Sequence, residues 1–409
     1  MVEESVGTQD ANDPSGRHSP LEVLRVSLRL GLTSFGGPIA HLGYFEHTYV
    51  RTRRWLTEHE YAELLALCQI IPGPASSQLG FLIGLHRAGY WGALAAWFGF
   101  TLPSAVLLFV AVGAAARLHG VIAQAAFHGL KLVAVAVVAQ AVWSLGHRLW
   151  TDRLTVGIGI LTSSLVLAWG APGASLGALG VGALLGAIMC RARIAPAVSA
   201  HSAVSRRVAW VAGGVFIALL GGLPVLAFRS PHGAVALADT FYRAGALVFG
   251  GGHVVLPLLR DALVPSGWLS EDSFLAGYGL AQAVPGPLFT VAAYLGAANA
   301  YVGPSLWAAV IAVVSIFLPG MLLALAAVAL LKEFAAHERF RGALIGVNAA
   351  VVGILGVALY NPVLTTSVHS IVDGLIVVAG VVLLERCKVP PLLVVVLCLA
   401  GSFTEVWLI

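Results

Sequence analysis

Two Pro-Gly-Pro triplets, Pro72-Gly73-Pro74 and Pro285-Gly286-Pro287, stand near the middle of apolar stretches in a chain of 409 residues. An unbroken helix would satisfy its own backbone where water is absent. Proline removes a donor and glycine frees the backbone, so each triplet predicts a broken helix. A break leaves free N–H groups at the start of the second half-helix. Those groups carry partial positive charge and bind anions. After the first triplet the chain reads Ala75-Ser76-Ser77-Gln78, with two hydroxyls and an amide. After the second it reads Leu288-Phe289-Thr290, and Gln69 and Gln282 precede the two breaks. Such donors suit a tetrahedral dianion with four acceptor oxygens. The alternative is a proline kink that serves packing alone; its recurrence at one place in a repeat argues against it.

Cations inside the apolar stretches form a second group. Arg29 and Arg243 each lie six residues before a Phe-Gly-Gly corner, Phe35-Gly36-Gly37 and Phe249-Gly250-Gly251. Arg25 lies one turn before Arg29, where it can also snorkel to the cytosolic interface. Lys131 has Asn348 at the matching place in the second half. A cation within a span is costly, so it usually lines a path or pairs with another group. Glu63 is the acid candidate, as a partner for one of these cations, a proton carrier or a plain interfacial glutamate. Two helix termini offer only about one unit of positive charge. A dianion in a dry site therefore needs a full cation as well, and Arg29, Arg243 or Lys131 is expected to supply it.

No catalytic pattern accompanies these residues: the chain has no HExxH, P-loop, GxSxG or dinucleotide fingerprint. The expectation is a non-enzyme without cofactor or metal. His41, His47 and His59 read as surface or interfacial residues rather than metal ligands. Cys68, Cys190, Cys387 and Cys398 sit in or beside apolar runs and read as small hydrophobes.

The elements that position these groups are helices in a bilayer. The chain is 59% hydrophobic and 10% charged, with mean hydropathy +0.91, whereas soluble chains are about 25% charged. Long non-alternating runs such as 154–190 and 390–409 point to helices rather than a barrel. Residues 1–19 are polar, lack a signal-peptide pattern and read as a disordered cytoplasmic tail.

The chain also repeats itself. Arg29 to Gly37 recurs as Arg243 to Gly251, and Trp55-Leu56-Thr57-Glu58 as Trp268-Leu269-Ser270-Glu271. Gln69 to Pro74 recurs as Gln282 to Pro287, and Leu102-Pro103 as Leu318-Pro319; the offsets are 214, 213, 213 and 216. Two homologous halves follow, 20–190 and 236–409, joined by 191–235, a basic linker plus one apolar segment (208–228) that would invert the second half. The expected fold is an all-α polytopic membrane protein, an inverted-topology repeat with about 11–13 membrane segments and Pro-Gly-Pro broken helices. Lysine and arginine in alternate loops place the N-terminus in the cytoplasm and the C-terminus outside. Arg51, Arg53 and Arg54 fit only if 21–50 and 60–87 are hairpins that return to their starting side; both versions stay open.

At these residues the chain resembles the chromate ion transporter family in its long-chain, two-domain form. The resemblance is carried by Thr33 to Phe45, Arg53 to Glu63 and Cys68 to Gln78, and in the second half by Phe249 to His253, Trp268-Leu269 and Gln282 to Pro287. It covers nearly all of 20–409 and implies a bacterial inner-membrane protein. It also implies chromate efflux and resistance, driven by membrane potential or proton gradient, with sulfate as the look-alike substrate. Moving a dianion outward from a negative interior is favourable by roughly 4.6 kcal/mol per 100 mV. A transporter mainly of sulfate or another oxyanion is the alternative, and a membrane-embedded enzyme or sensor the third reading. The bilayer and the anion are the expected partners; nucleic acid is not, and a homodimer is left open.

Overall fold

The computed structural model describes residues 19–115, 117, 120–170, 173–190, 204–249, 252–299, 301, 305–335 and 337–408. The tail, residues 191–203 of the linker, Gly250 and Gly251 therefore lie outside the described residues. Every element is helical, with no strand among the described residues. The first half holds α1 (Pro20–Thr33), α2 (Gly37–Phe45, continued by a wide π turn, Glu46–Thr52), α3 (Glu58–Ile70), α4 (Ala75–Ala115), α5 (Gly120–Leu149), α6 (Arg153–Trp169) and α7 (Ala174–Met189). α8 (Arg206–Ala227) follows. The second half holds α9 (Ala234–Ala246), α10 (Val255–Leu263), α11 (Glu271–Ala281), α12 (Val291–Ala297), α13 (Leu306–Ala335), α14 (Glu338–Ala358), α15 (Ile371–Glu385) and α16 (Pro391–Leu408).

Five of these helices are long and apolar enough to cross a membrane: α4, α5, α8, α13 and α14, the last with the turn that follows it. Shorter apolar helices, α6, α7 and α16 among them, accompany them. Their outer faces carry large exposed apolar side chains such as Trp91, Ile188, Phe228 and Trp307. Helix starts are fixed by local capping. The Thr57 hydroxyl accepts the Glu60 N–H while the Glu60 carboxylate accepts the Thr57 N–H, and Asp152 with Thr155 and Ser370 with Asp373 do the same.

Contacts at the helix ends choose between the two open versions of the first half. Glu22, at the start of α1, lies 3.4 Å from Arg53, beyond the π turn, and 3.4 Å from Arg87. His86 lies 3.9 Å from Glu60, and the Arg87 guanidinium sits 5.0 Å over Trp55. The start of α1, the end of the α2 segment, the start of α3 and the end of the first arm of α4 thus share one face. Both segments are hairpins. α4 turns at Ala88 and Gly89, whose backbone is not helical, and Gly84 packs against the Gly92 carbonyl and Ala96. In the second half the His232 ring stacks 3.8 Å from Tyr301 and lies 6.2 Å from Trp268. The Tyr301 hydroxyl donates to the Ser266 carbonyl at 3.2 Å. α9–α10 and α11–α12 are therefore closed in the same way. α1, with 14 residues, and α3, with 13, span only about 20 Å at 1.5 Å per residue, short of the ~30 Å hydrocarbon core.

Beyond the hairpins the halves exchange helices. α7 packs on α14, where Gly182 and Gly186 meet Gly342 and Gly346 backbone to backbone. Reciprocally, α15 and α16 pack on α5, where Gly129 meets Leu399 and the Ser402 hydroxyl donates to the Ala125 carbonyl at 2.8 Å. Each half thus packs its closing helices against a long helix of the other.

Candidate functional site

The hairpin tips meet inside the bundle. The Gly73 N–H donates to the Val248 carbonyl at 2.8 Å, and the Gly286 N–H donates to the Ser34 carbonyl at 3.0 Å. Ser34 and Val248 are equivalent in the repeat, as are Gly73 and Gly286, so the halves make one bond to each other twice. The backing is reciprocal too. Gly73 rests on Gly320 of α13, and Gly286 rests on Ser104 and the Phe100 carbonyl of α4. Both tip glycines need the left-handed region, with φ of +123° at Gly73 and +104° at Gly286, which only glycine enters at little cost.

Around this junction the polar side chains are buried. Ser34, His41, Ser76, Ser77, Gln78, Thr101, Ser104 and Thr290 are each at most 3% exposed. Ser34 Oγ, Ser77 Oγ, Thr101 Oγ1 and Gln282 Nε2 have no hydrogen-bond partner, and neither does Trp97 Nε1. An unsatisfied buried donor costs about 1–3 kcal/mol, so a cluster of them calls for an occupant with acceptors. The first turn of α4 adds its own unsatisfied N–H groups at the tip.

The expected site residues divide. Pro72, Gly73, Pro74, Ser76, Ser77, Gly36 and Gly37 come together at or beside the first-half tips, and Pro285, Gly286, Pro287 and Gln282 at the second. Three donors are arranged otherwise. Gln78 Nε2 donates to the Pro72 carbonyl at 2.8 Å and the Gly320 carbonyl at 3.1 Å, clamping the tip. Thr290 donates its hydroxyl to the Pro287 carbonyl at 2.7 Å, so it caps its own turn instead of offering a hydrogen outward. Gln69 is exposed on α3. The second half-helix also differs from the first: it opens with a 3-10 turn, Leu288–Thr290, and α12 has only 7 residues.

The structure does not bring the cations to the tips as free charges. Arg29, one turn or more short of the Ser34 tip, lies exposed on α1 with Arg25 and Thr33. Arg243 is ion-paired with the buried Asp239 one turn earlier. Lys131 donates to Asp272 at 2.9 Å and to the Thr366 carbonyl at 3.4 Å. It lines a separate cavity of about 450 Å³ with His128 and His369, and no tip residue reaches that cavity. Glu63 lies 3.4 Å from His59, which is on the exposed end of α3. Asn348, on α14, is half-buried with an unpartnered Oδ1. Long charged side chains reach solvent or an opposite charge because an unpaired buried ion costs several kcal/mol.

His41 is the residue that sequence reasoning placed wrongly. It is fully buried on α2, with Nε2 3.2 Å from the Ser34 carbonyl, Nδ1 3.5 Å from Ser76 Oγ and the ring edge-on to Phe100. Its one signal was position, a single turn after Gly37-Pro38 within an apolar run.

Apolar helices around buried hairpin tips lined with unanswered donors are the build of a multi-pass membrane transport protein. The chain belongs to the chromate transporter family, whose profile matches residues 21–190 and again 235–403. It is 30% identical to a probable chromate transport protein of Synechococcus elongatus, over 94% of this chain and 95% of that one. It is 28% identical to the chromate transport protein of Pseudomonas aeruginosa, over 91% of this chain and 89% of that one. A chromate transport protein of Cupriavidus metallidurans is 27% identical, over 88% of this chain and 86% of that one. No solved structure matches the chain.

Proposed function

We propose that this protein exports chromate from the cytoplasm and confers chromate resistance, and that the anion binds where the hairpin tips of the two halves meet. The observation that carries the reading is that junction: reciprocal backbone bonds between the halves, surrounded by buried donors without partners. A tetrahedral oxyanion supplies the acceptors those donors lack. The names of the relatives supply chromate.

Orientation follows from charge. The face that holds Glu22 also holds Arg51, Arg53, Arg54 and Arg87. Traced from there through α4–α8 and α13–α16, the chain puts Arg148, Arg153, Arg206, Arg339, Arg386 and Lys388 on that face and Arg117, Arg229 and Arg260 on the other. The positive-inside rule makes the richer face cytoplasmic. Nine helices then cross, namely the second arm of α4, α5 to α8 and α13 to α16, while the four hairpins are re-entrant from opposite faces. This is the inverted repeat in which transporters bind substrate at mid-depth. Arg25, Arg29 and Thr33 line up along α1 from the cytoplasmic face towards the Ser34 tip, a basic approach for an anion. The membrane potential drives a dianion outward by roughly 4.6 kcal/mol per 100 mV.

Cells expressing the protein should hold less labelled chromate and tolerate more of it than cells carrying an empty vector. Unchanged accumulation, with the protein detected in the membrane, contradicts the assignment.

A further inference from the structure

We propose that His41 takes up a proton when the anion binds, and so supplies the full positive charge that the site otherwise lacks. This rests on the placement of the anion at the hairpin tips. Ser34 O can only accept, so the His41 Nε2 that lies 3.2 Å from it carries a hydrogen. In the neutral ring Nδ1 is then an acceptor, and its partner is the Ser76 hydroxyl, 3.5 Å away. The hydroxyl hydrogen of Ser76 points at the ring and is withheld from any anion at the start of α4.

Protonation reverses that bond. Nδ1 becomes a donor, Ser76 Oγ accepts, and the Ser76 hydrogen is released to a ligand oxygen. One proton thus adds a unit of charge and frees one donor. The same Ser34 carbonyl accepts the Gly286 N–H, so the ring is tied to the bond that joins the halves.

The surroundings supply no other charge. From α1 the ring meets the Ser34 carbonyl, and from α4 Ser76 and the edge of Phe100. The buried titratable groups on α1 to α3 and the π turn are, besides His41, Tyr49, bonded to Ser27, Tyr61, donating to the Leu42 carbonyl, and Cys68. The carboxylates there that lie within reach of a cation face elsewhere: Glu22 faces Arg53 and Arg87, Glu46 faces Arg51, Glu60 faces His86 and Glu63 faces His59. Arg25 and Arg29 are exposed. Among the described residues no carboxylate, lysine or arginine is ion-paired with His41. His253, past the corner of the second half, is bonded to the Tyr278 hydroxyl at 2.8 Å and lacks a serine at a helix start. A dianion brought into this pocket favours the charged ring, and by reciprocity the charged ring favours the dianion.

The test titrates chromate into the purified full chain by calorimetry, from about pH 7.5 to 9, above the ordinary range of imidazole, in two buffers of different ionisation heat. The parent should bind more tightly as pH falls, by up to about tenfold per unit, with proton uptake of up to one per anion. H41Q should bind more weakly, without pH dependence or uptake, while H253Q should keep both. Binding by the parent without proton uptake, uptake retained in H41Q, or uptake lost in H253Q instead would overturn the proposal and leave the site standing. A folded parent that binds no chromate at any pH overturns the site itself. If H41Q does not fold, the parent and H253Q still decide.

Discussion

Gly73→Val and Gly286→Val should each abolish chromate transport, while Gly221→Val on α8 should leave it intact. At Gly73 a Cβ would lie 2.6 Å from Gln78 Nε2 and 3.0 Å from the Gly320 Cα. The glutamine cannot swing away, because it is held by the Pro72 and Gly320 carbonyls. At Gly286 the Cβ would lie 2.8 Å from Ser104 Oγ. Each site adds backbone strain of about 1–3 kcal/mol for a side chain at positive φ, and overpacking of about 1–3 kcal/mol more. Together these are a large share of a domain's net stability, about 5–15 kcal/mol. The tip would move, and with it the bond to the other half. Gly221 has open space around its Cβ position. Chromate uptake, measured beside membrane content and a melting curve in detergent, checks this; transport at half the parent rate or better in either tip variant contradicts it.

Arg243→Ala should lower the melting temperature sharply, whereas Arg29→Ala should leave it unchanged and slow transport. The two arginines are equivalent in the repeat but not in their surroundings. Arg243 neutralises Asp239, whose side chain is 4% exposed. Removing the arginine strands a buried carboxylate, at about 3–5 kcal/mol for a fully buried pair and less here because Arg243 is 40% exposed. The double variant Asp239→Asn with Arg243→Gln removes both charges and should recover most of the loss. Arg29 is exposed and pairs with no acid among the described residues. If Arg243→Ala melts like the parent, the pair has no structural role.

This asymmetry shows what the sequence could and could not disclose. The helices, the two halves and the paired Pro-Gly-Pro sites follow from composition and spacing, since a buried break at one place in a repeat has few other causes. Asp239 was also within reach: it stands where the first half has Arg25, so the second copy neutralises the charge that the first doubles. The Arg51, Arg53 and Arg54 cluster raised the hairpins, but the sequence could not decide for them. An apolar run of a given length reads the same whether it crosses or returns, and the deciding contacts, Glu22 with Arg53 and His232 with Tyr301, join residues far apart in the chain. His41 was missed because a histidine near a membrane edge and one at a re-entrant tip have the same local sequence. The bond from the Thr290 hydroxyl to the Pro287 carbonyl was not legible because it exists only once the turn has formed.

The most direct test is chromate uptake into everted membrane vesicles that contain the protein, with the potential and the pH gradient imposed separately. In such vesicles the cytoplasmic face is outside, so an exporter loads the lumen. Uptake should rise with a lumen-positive potential and be absent from vesicles carrying Gly73→Val. Uptake no greater than in vesicles without the protein, or indifferent to both imposed gradients, contradicts it.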